Sequence, residues 1–591
     1  MTRPEPTAGT LRFGVFELDP RAGELRKRGV KLRLRGQPLL VLATLLQHAG
    51  DVVTREQLRA QIWHDDTFVD FDHSLHNAIA KLRETLGDSA ERPRYIETLP
   101  RHGYRFIVPV EESATEKSAS KGGSEGFEVQ SIAVLPLEDL THDPAQDYFA
   151  DSMTEALITS LAKVRALRVI SRTSVMRYKG ARKSLPEIAR ELKVDAVIDG
   201  SVLRAGERIR INTQLIHAAS DRHLWAESYE RDFRDILSLQ SDIAQQVADQ
   251  IKVILTPEER ERLSSARKVN PQAHEQYLKA RYYWNKRAEP SVIKAISYFR
   301  QSIDADPTYA EGYVGLADCY NILGYYNSLA PMEAYPKAKA AALKALEWDK
   351  SLGEAHAALG VVKRDFEWDW PGAEQEFQCA IELNPGCVEA YHWRGTLFCM
   401  MRRHTEGLRE KTKALTLDPL SVVVRSDLAR MYYYARDYSL ALEHYRAAIA
   451  MDPEFGFAHL LVAEVYEQLG RPGEARTALE EGVRLLGESP FALAKLGHYL
   501  AISGKRDEAR HVLDRLEELA RQEYVSACDV AMVYTGLKEN DAAFHWLDKA
   551  YQQRAVGLGY LGLEQHWDPL RTDLRFTDLL RRVNLATVSA L

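Results

Sequence analysis

A dipeptide of Asn or Asp followed by proline recurs at a constant interval in the second half of this 591-residue chain. The prolines of three successive copies, Pro385, Pro419 and Pro453, are 34 residues apart. A unit of this length cannot bury its apolar face alone and buries it against its neighbours. The sequence therefore predicts a stack of repeated units over about 270–585, rather than one central core.

Within one unit, small and aromatic residues stand at spacings that let the two helices of a hairpin interlock. In one copy these residues are Leu428, Tyr432, Ala441, Tyr445 and Ala448. The pattern resembles the tetratricopeptide repeat, and we count about eight copies. The resemblance implies an all-α solenoid with a concave groove that binds a protein, a peptide or a second copy of the chain.

The amino-terminal part of the chain, 8–110, has a different pattern. Alternating apolar and polar residues with turn signals predict a small antiparallel sheet, and three helices and a β-hairpin follow. The predicted sheet and helices are 11–34, 37–49, 54–63 and 72–86. This part of the chain is therefore predicted to be a separate α+β domain.

The third of these helices has two opposite faces. Apolar residues at the 3.6-residue period predict its buried face. They are Leu75, Ile79, Leu82 and Leu86. The outer face carries short polar groups and one cation that can meet the edges of bases. These candidate DNA-binding residues are His73, Ser74, Asn77 and Lys81. Arg83 lies near the buried direction, so we expect it to brace the fold.

Further basic and polar candidates flank this helix in the sequence. Gly103 supplies the positive φ of a tight hairpin turn, and Arg101 and Arg105 make the hairpin basic. Thr54 has the spacing of a capping-box residue at the start of the second helix. Thr54 and Arg55 are thus placed at a helix N-terminus, where a phosphate is favoured.

The order of helix, helix, recognition helix and wing resembles the OmpR/PhoB-type winged helix-turn-helix, as do the segments NAIAKLRETLGD and YIETLPRHGYRF. The resemblance implies that 72–86 enters the major groove of double-stranded DNA and that the wing lies at the adjacent minor groove. Asn77 and Lys81 would then read adenine or guanine edges, while Arg101 and Arg105 attract phosphates. In related regulators the connector, here 64–72, resembles the part that faces RNA polymerase.

Between these two parts, the composition changes twice. Residues 111–128 are mostly Ser, Glu, Lys, Gly and Ala, which predicts a flexible linker. Residues 129–255 read as β-α-β-α-β-β with a trailing helix, a small α/β domain. This segment resembles the TolB N-terminal or FlgO-like domain, a resemblance that implies no known chemistry.

Composition limits the function classes. The formal charge is −7, but residues 1–110 carry 17 Lys or Arg against 14 Asp or Glu, so the amino-terminal part is mildly basic. The longest apolar stretch, 39–46, is far shorter than the roughly 20 residues of a membrane span, so we expect a cytoplasmic chain without a membrane partner. A G-x-G-x-x-G spelling at 557–562 follows a repeat helix rather than a strand. We therefore expect no enzyme activity, catalytic residue, cofactor or metal.

The sequence thus predicts a multidomain, one-component transcriptional regulator whose winged helix binds promoter DNA and whose α/β domain and solenoid sense a partner or signal. One winged helix contacts few base pairs, so we expect a homodimer or assisted binding. An alternative is a tetratricopeptide scaffold in which the winged helix binds protein. A third alternative is an enzyme that uses the middle domain.

Overall fold

The structure is a computed structural model. It describes residues 10–19, 24–27, 30–32, 34, 37–62, 71–89, 93–99, 103–108, 110–113, 129–141, 143, 146–251, 253, 255–257, 259–260 and 269–585. The chain folds as two compact units, Met1–Gly126 and Phe127–Leu591. None of the helices in the described ranges combines the length and the apolar composition that a bilayer crossing requires.

The first unit contains two antiparallel sheets and three helices. One sheet has the strand order β4-β3-β2-β1-β8 and the other the order β5-β7-β6. The strands are β1 Thr10–Phe13, β2 Phe16–Asp19, β3 Glu24–Lys27, β4 Val30–Leu32, β5 Val52–Thr54, β6 Ile96–Leu99, β7 Gly103–Phe106 and β8 Glu111–Ser113. The helices are α1 Gln37–Gln47, α2 Arg55–Ile62 and α3 Phe71–Leu86.

Strand β8 corrects the predicted linker. Residues 111–113, which we expected to be flexible, pair with β1 in the register Thr10 to Ser113. An edge strand is held by main-chain hydrogen bonds, so a polar composition does not exclude it. The prediction of a linker is wrong for these three residues, and the rest of it, 114–128, lies outside the described residues.

The core of the first unit joins both sheets to the helices. Its aromatic side chains meet edge to face, with the ring centroids of Phe13 and Phe106 5.2 Å apart and those of Phe16 and Tyr95 5.5 Å apart. The buried face of α3 contributes Leu75, Ile79, Leu82 and Leu86, as the periodicity predicts. This packing fixes which face of α3 is directed outward.

The second unit begins with an α/β part. Its sheet has the order β11-β9-β12-β13-β14, and β10 pairs with β12. The strands are β9 Ser131–Val134, β10 Glu138–Asp139, β11 Arg168–Val169, β12 Ala196–Ala205, β13 Arg208–His217 and β14 Arg222–Asp232. The helices are α4 Asp147–Ala162, α5 Arg172–Val175, α6 Leu185–Leu192 and α7 Ile236–Gln250, with 3₁₀ turns at Met176–Tyr178 and Phe233–Asp235.

Strand β14 is absent from the sequence prediction, which ended the sheet at β13. It pairs antiparallel with β13 along most of its length. Most of its residues are exposed or half-buried and Tyr229 is buried, so it lacks the apolar alternation that predicts a strand.

The remainder of the second unit is helical. Within 269–585, helices pack in consecutive pairs from Pro271 to Gln552. The pairs are Pro271–Trp284 with Glu289–Ala305, Ala310–Tyr325 with Pro331–Trp348, Gly353–Val362 with Trp370–Leu383, Val388–Met400 with His404–Leu417, Val422–Tyr434 with Tyr438–Met451, Gly456–Gln468 with Pro472–Leu486, Pro490–Ile502 with Arg506–Leu519, and Ala527–Gly536 with Asn540–Gln552. A π turn, Lys363–Glu367, interrupts the third pair.

The repeats end earlier than expected. Residues 553–585, here called the C-terminal segment, do not continue the pairing. They form two 3₁₀ turns, Val556–Tyr560 and Gln565–Leu570, and one helix, Leu574–Arg582. The predicted extension of the repeats through this segment is therefore wrong.

The α/β part packs directly against the solenoid. Arg281 Nε donates to Glu155 Oε1 at 2.8 Å, which joins the first repeat to α4. Ser174 Oγ donates to Asp418 Oδ1 at 2.6 Å, and the amide of Leu420 donates to Ser174 Oγ at 2.9 Å. These contacts link α5 to the fourth repeat. The α/β part and the repeats therefore form one packed body.

Candidate nucleic-acid interface and solenoid groove

The outer face of α3 presents polar groups to solvent. Asn77 and Lys81, one turn apart, are both exposed. Lys81 Nζ lies 2.7 Å from Glu84 Oε2, but the two side chains are 55% and 69% exposed. An ion pair this exposed contributes at most about 1 kcal/mol, so the lysine can exchange Glu84 for a phosphate or a base edge.

Several predicted contacts cannot be located. His73 and Ser74 lie in the first turns of α3, but their side chains are outside the described residues. Arg101 at the hairpin turn also lies outside them, as does most of the connector 64–72, of which residues 71 and 72 belong to α3. The contacts proposed for these residues remain predictions.

Arg83 joins the recognition helix to the wing. Its Nη2 atom donates to the carbonyl oxygen of Ile96 at 2.9 Å and to Thr98 Oγ1 at 2.8 Å. Both partners lie in β6, the first strand of the hairpin. Arg83 therefore braces α3 against the wing, as its direction on the helix predicts.

Asp88 has a second bracing role that sequence reasoning missed. Its Oδ1 accepts from the amide of Arg94 at 2.6 Å, and its Oδ2 accepts from the amide of Ile96 at 2.8 Å. The carboxylate thus closes the loop between α3 and the wing. An Asp immediately after the helix-ending Gly87 was the available signal, since Asp commonly accepts from nearby main-chain amides.

The wing is held against β5 by close main-chain approach. Gly103 has φ 150°, and a Cβ there would lie 2.1 Å from the carbonyl oxygen of Val53. Arg105, on the same strand, has its Nε atom 3.7 Å from Glu97 Oε2, and both side chains are a little over one third exposed. Arg105 is thus partly neutralised by its neighbour on β6.

The start of α2 lies beside the wing. Thr54 pairs with Gly103 in the β5–β7 ladder. Its amide donates to Gln57 Oε1 at 2.8 Å, while the amide of Gln57 donates to Thr54 Oγ1 at 3.2 Å. This is the predicted capping box. Thr54 and Arg55 are both half-buried.

The C-terminal segment packs against the solenoid. Trp370 Nε1 donates to the carbonyl oxygen of Val583 at 3.0 Å, and the Tyr325 and Tyr560 hydroxyls are 3.2 Å apart. These contacts come from the second and third helix pairs. The C-terminal segment therefore contacts the repeats on the side where the tetratricopeptide resemblance implies a partner.

The fifth helix pair holds the same segment through a buried charge. Glu564 forms an ion pair with Arg430 and accepts from the Tyr434 hydroxyl at 2.7 Å. Burial works against the charge of Glu564, but Arg430 and Lys495 hold its pKa well below the ordinary value. The carboxylate is therefore ionised and anchors the segment.

Three family descriptions match this chain. Residues 29–106 match "Transcriptional regulatory protein, C terminal", and residues 128–246 match "HilA/YgeH-like transcriptional regulator, second domain". Residues 426–491 match "Tetratricopeptide repeat". The winged helix, the α/β part and the repeats each have a counterpart among described families.

Curated proteins align with different lengths of the chain. The transcriptional regulator HilA of Salmonella typhimurium is 23% identical over 524 residues, 88% of this chain and 84% of that protein. The cholera toxin transcriptional activator of Vibrio cholerae is 34% identical over 106 residues, 17% of this chain and 36% of that protein. A protein of Rhizobium meliloti named putative adenylate cyclase 3 is 32% identical over 362 residues, 61% of this chain and 58% of that protein.

Among the relatives named as transcriptional regulators, HilA of Salmonella typhimurium aligns along 88% of this chain. The geometry of the first unit agrees with those names, because α3 turns a polar face outward beside a braced wing. The chain thus joins an OmpR/PhoB-type winged helix to a HilA-like second domain and tetratricopeptide repeats, the architecture of a DNA-binding transcriptional regulator.

Proposed function

We propose that the chain is a one-component regulator that binds promoter DNA through α3 and receives its signal through 129–255 and 270–585. The observation that carries this proposal is the arrangement of α3. Asn77 and Lys81 face solvent one turn apart, while the opposite face is buried and Arg83 ties the helix to the wing. A helix held in this way presents a fixed polar surface to the major groove.

Each candidate residue has a proposed role. Asn77 pairs with an adenine and Lys81 with guanine O6 or N7. Arg105 attracts phosphate beside the minor groove, although Glu97 weakens it. The remaining proposed contacts are His73 and Ser74 at the start of α3, Arg101 at the wing, and Thr54 and Arg55 at the phosphates near α2.

The proposal includes the partners of the bound state. Two chains occupy one operator, because one winged helix contacts too few base pairs for specific binding. The connector 64–72 faces RNA polymerase, and the chain acts in the cytoplasm, where its DNA is. A peptide partner enters the solenoid groove only when the C-terminal segment leaves it.

We also propose that the chain is not an enzyme. The relative named as a putative adenylate cyclase has 42% of its length outside the alignment, which is 100% less the aligned 58%. The alignment therefore does not by itself carry the name of that protein over to this chain. The family descriptions that match 29–106 and 128–246 are both those of transcriptional regulators.

The test is DNA binding by the full chain across a salt series, with genomic fragments competing against random duplexes. We expect sequence preference and an affinity that falls steeply as salt rises. Replacing both Asn77 and Lys81 with Ala removes the preference, because both side chains are assigned to base edges. Lys413→Ala, at an exposed lysine of the solenoid, is the matched control. The scaffold alternative instead gives no preference and a negligible slope.

A further inference from the structure

A large cavity lies inside the second unit, between the C-terminal segment and the repeats. Its volume is about 1090 Å³. The wall includes Arg172 of α5, Asn321 of the second repeat, Asp529 of the last repeat and Glu564 of the C-terminal segment. Small-molecule sites in proteins span roughly 300–1,000 Å³, so the cavity is large enough for a small ligand and its bound water.

Several side chains of the wall have a buried polar atom for which the described residues supply no hydrogen-bond partner, and most of these atoms are acceptors. The acceptor atoms are Asn321 Oδ1, Asn327 Oδ1, His392 Nδ1, Asp529 Oδ2 and Glu564 Oε2. The donors are Trp284 Nε1 and the Nε atoms of Arg172 and Arg430, and Ser426 has a hydroxyl. Buried polar atoms are normally satisfied, but the side chains of this wall contain more unpaired acceptors than unpaired donors.

Two of the acceptor assignments follow from neighbouring bonds. Asn321 Nδ2 donates to the carbonyl oxygen of Ala358 at 3.0 Å, so the side-chain oxygen is the atom left without a partner. His392 Nε2 lies 2.9 Å from Asp427 Oδ2, so Nε2 carries the proton. Burial lowers the pKa of His392 to about 4, so the ring is neutral and its Nδ1 atom accepts.

The wall carries ionisable side chains of both signs, and burial raises the pKa of three of its carboxyl groups, Asp318, Asp418 and Asp529. Asp529 is 7% exposed, and among the described residues no cation lies within ion-pair distance of its carboxylate. Burial raises the pKa of Asp529 to about 7, with Lys495 acting against it. A bound cation would supply the partner that this carboxylate lacks.

An aromatic row covers another side of the cavity. The ring of Phe457 lies 5.5 Å from that of Tyr326, 6.0 Å from that of Phe455 and 6.0 Å from that of Phe491, measured between centroids. Aromatic faces attract cations and also cover alkyl chains. This wall favours an organic cation over a hydrated inorganic one.

A metal ion is the alternative ligand for the wall of this cavity. Ligand atoms of Glu464, Glu564 and His566 lie within 4.8 Å of one another. However, Lys495 already forms an ion pair with Glu464, and Arg430 forms one with Glu564. A metal ion would have to displace two buried cationic side chains, so we do not propose a metal site at this cluster.

We propose that this cavity binds a small organic amine, with the ammonium group at Asp529 and the carbon skeleton against the aromatic row. Only the role of the ligand, as the signal that the second unit receives, rests on the proposed function. Binding itself requires no DNA. The ligand class is set by the Asp529 carboxyl, which has no cation beside it among the described residues, by the unpaired acceptors and by the aromatic wall.

The test is isothermal titration of the full chain with butylamine, 1,4-diaminobutane and phenylethylamine, and with butyrate as the anionic control. We expect at least one amine to saturate one site per chain and butyrate to give no saturable heat. Asp529→Asn weakens that amine about tenfold or more, since a hydrogen bond to a charged group is lost. Asp514→Asn, at an exposed aspartate of the solenoid, leaves the affinity unchanged.

A second variant guards against misfolding of the first. Asn327 has φ 61°, so Asn327→Gly keeps the turn while removing one acceptor, and we expect a several-fold loss of affinity. No saturable amine binding up to millimolar concentration overturns the proposal, as does binding that Asp529→Asn leaves intact. DNA binding measured on the same preparation separates the two proposals, because failure of one leaves the other standing.

Discussion

At the scale of single residues, α3 separates side chains that hold the fold from side chains that face outward. Arg83→Ala removes two hydrogen bonds to β6, each worth about 1 kcal/mol, and we expect the wing to open more often. Lys81→Ala removes only an exposed ion pair and leaves the wing unchanged. Hydrogen exchange of peptides that cover 96–106 measures the difference. Equal protection in both variants would contradict the bracing role of Arg83.

A second residue-scale prediction concerns pH. Burial raises the pKa of Asp529 to about 7, whereas an unfolded chain has the ordinary value. Between those two values the unfolded state has lost its proton and the folded state has kept it, so the free energy of unfolding falls as pH rises. Asp529→Asn cannot ionise. We expect it to be more stable than the natural chain near pH 8, by at most about 4 kcal/mol.

The control for this prediction is the same comparison in acid. Below the ordinary pKa of aspartate both states are protonated, so the stability gain of Asp529→Asn disappears. Asp318, whose pKa burial also raises to about 7, ionises in both proteins and cancels in the difference. Thermal unfolding across the pH series measures the gain. A gain of equal size at low and high pH would show that it has another origin.

At the scale of elements, the sequence predicted those structural features that depend on neighbouring residues. The capping box at Thr54 and the buried face of α3 each depend on residues close in sequence, whereas Gly103 is needed because its strand approaches the distant Val53. Strands β8 and β14 escaped prediction because ladder hydrogen bonds hold them, and most side chains of β14 are exposed or half-buried. Polar strands of this kind have no period-two apolar signal.

The position of the C-terminal segment could not be predicted from the sequence, for a different reason. Its partners are far away in the sequence, as in the bond from Trp370 to Val583. The 34-residue period that revealed the repeats ends before it, and no local pattern states where a nonrepeating segment docks. For the same reason, the interface between Glu155 and Arg281 that joins the α/β part to the first repeat was not foreseen.

The anchor of this segment gives the element-scale prediction. Glu564→Ala leaves the Arg430 guanidinium buried without its carboxylate, which costs about 3–5 kcal/mol. We expect the C-terminal segment to leave the groove and become sensitive to protease. Limited proteolysis with mass mapping of 553–585 detects this. Asp578→Ala, which removes only partly exposed pairs with Arg581 and Arg582, is the control and keeps the segment protected.

At the scale of the whole molecule, one amino-terminal unit is too small to contact enough base pairs for sequence-specific DNA binding. The basic excess of 1–110 is small, and the whole chain carries a formal charge of −7, so long-range attraction to DNA is limited. Affinity then has to come from short-range contacts, to phosphates as well as to base edges. Doubling those contacts by placing two chains on one operator is the arrangement that we expect.

Spacing of the two half-sites tests this arrangement. Inserting about five base pairs, half of a helical turn of roughly 10 base pairs, puts the half-sites on opposite faces of the duplex. Cooperative binding should then fall toward that of one half-site and recover when a full turn is inserted. Titration of labelled operator gives the stoichiometry, which we expect to be two chains. Tight binding by one chain, or indifference to the half-turn insertion, would contradict the dimer, because paired recognition elements read DNA only when both meet the same face.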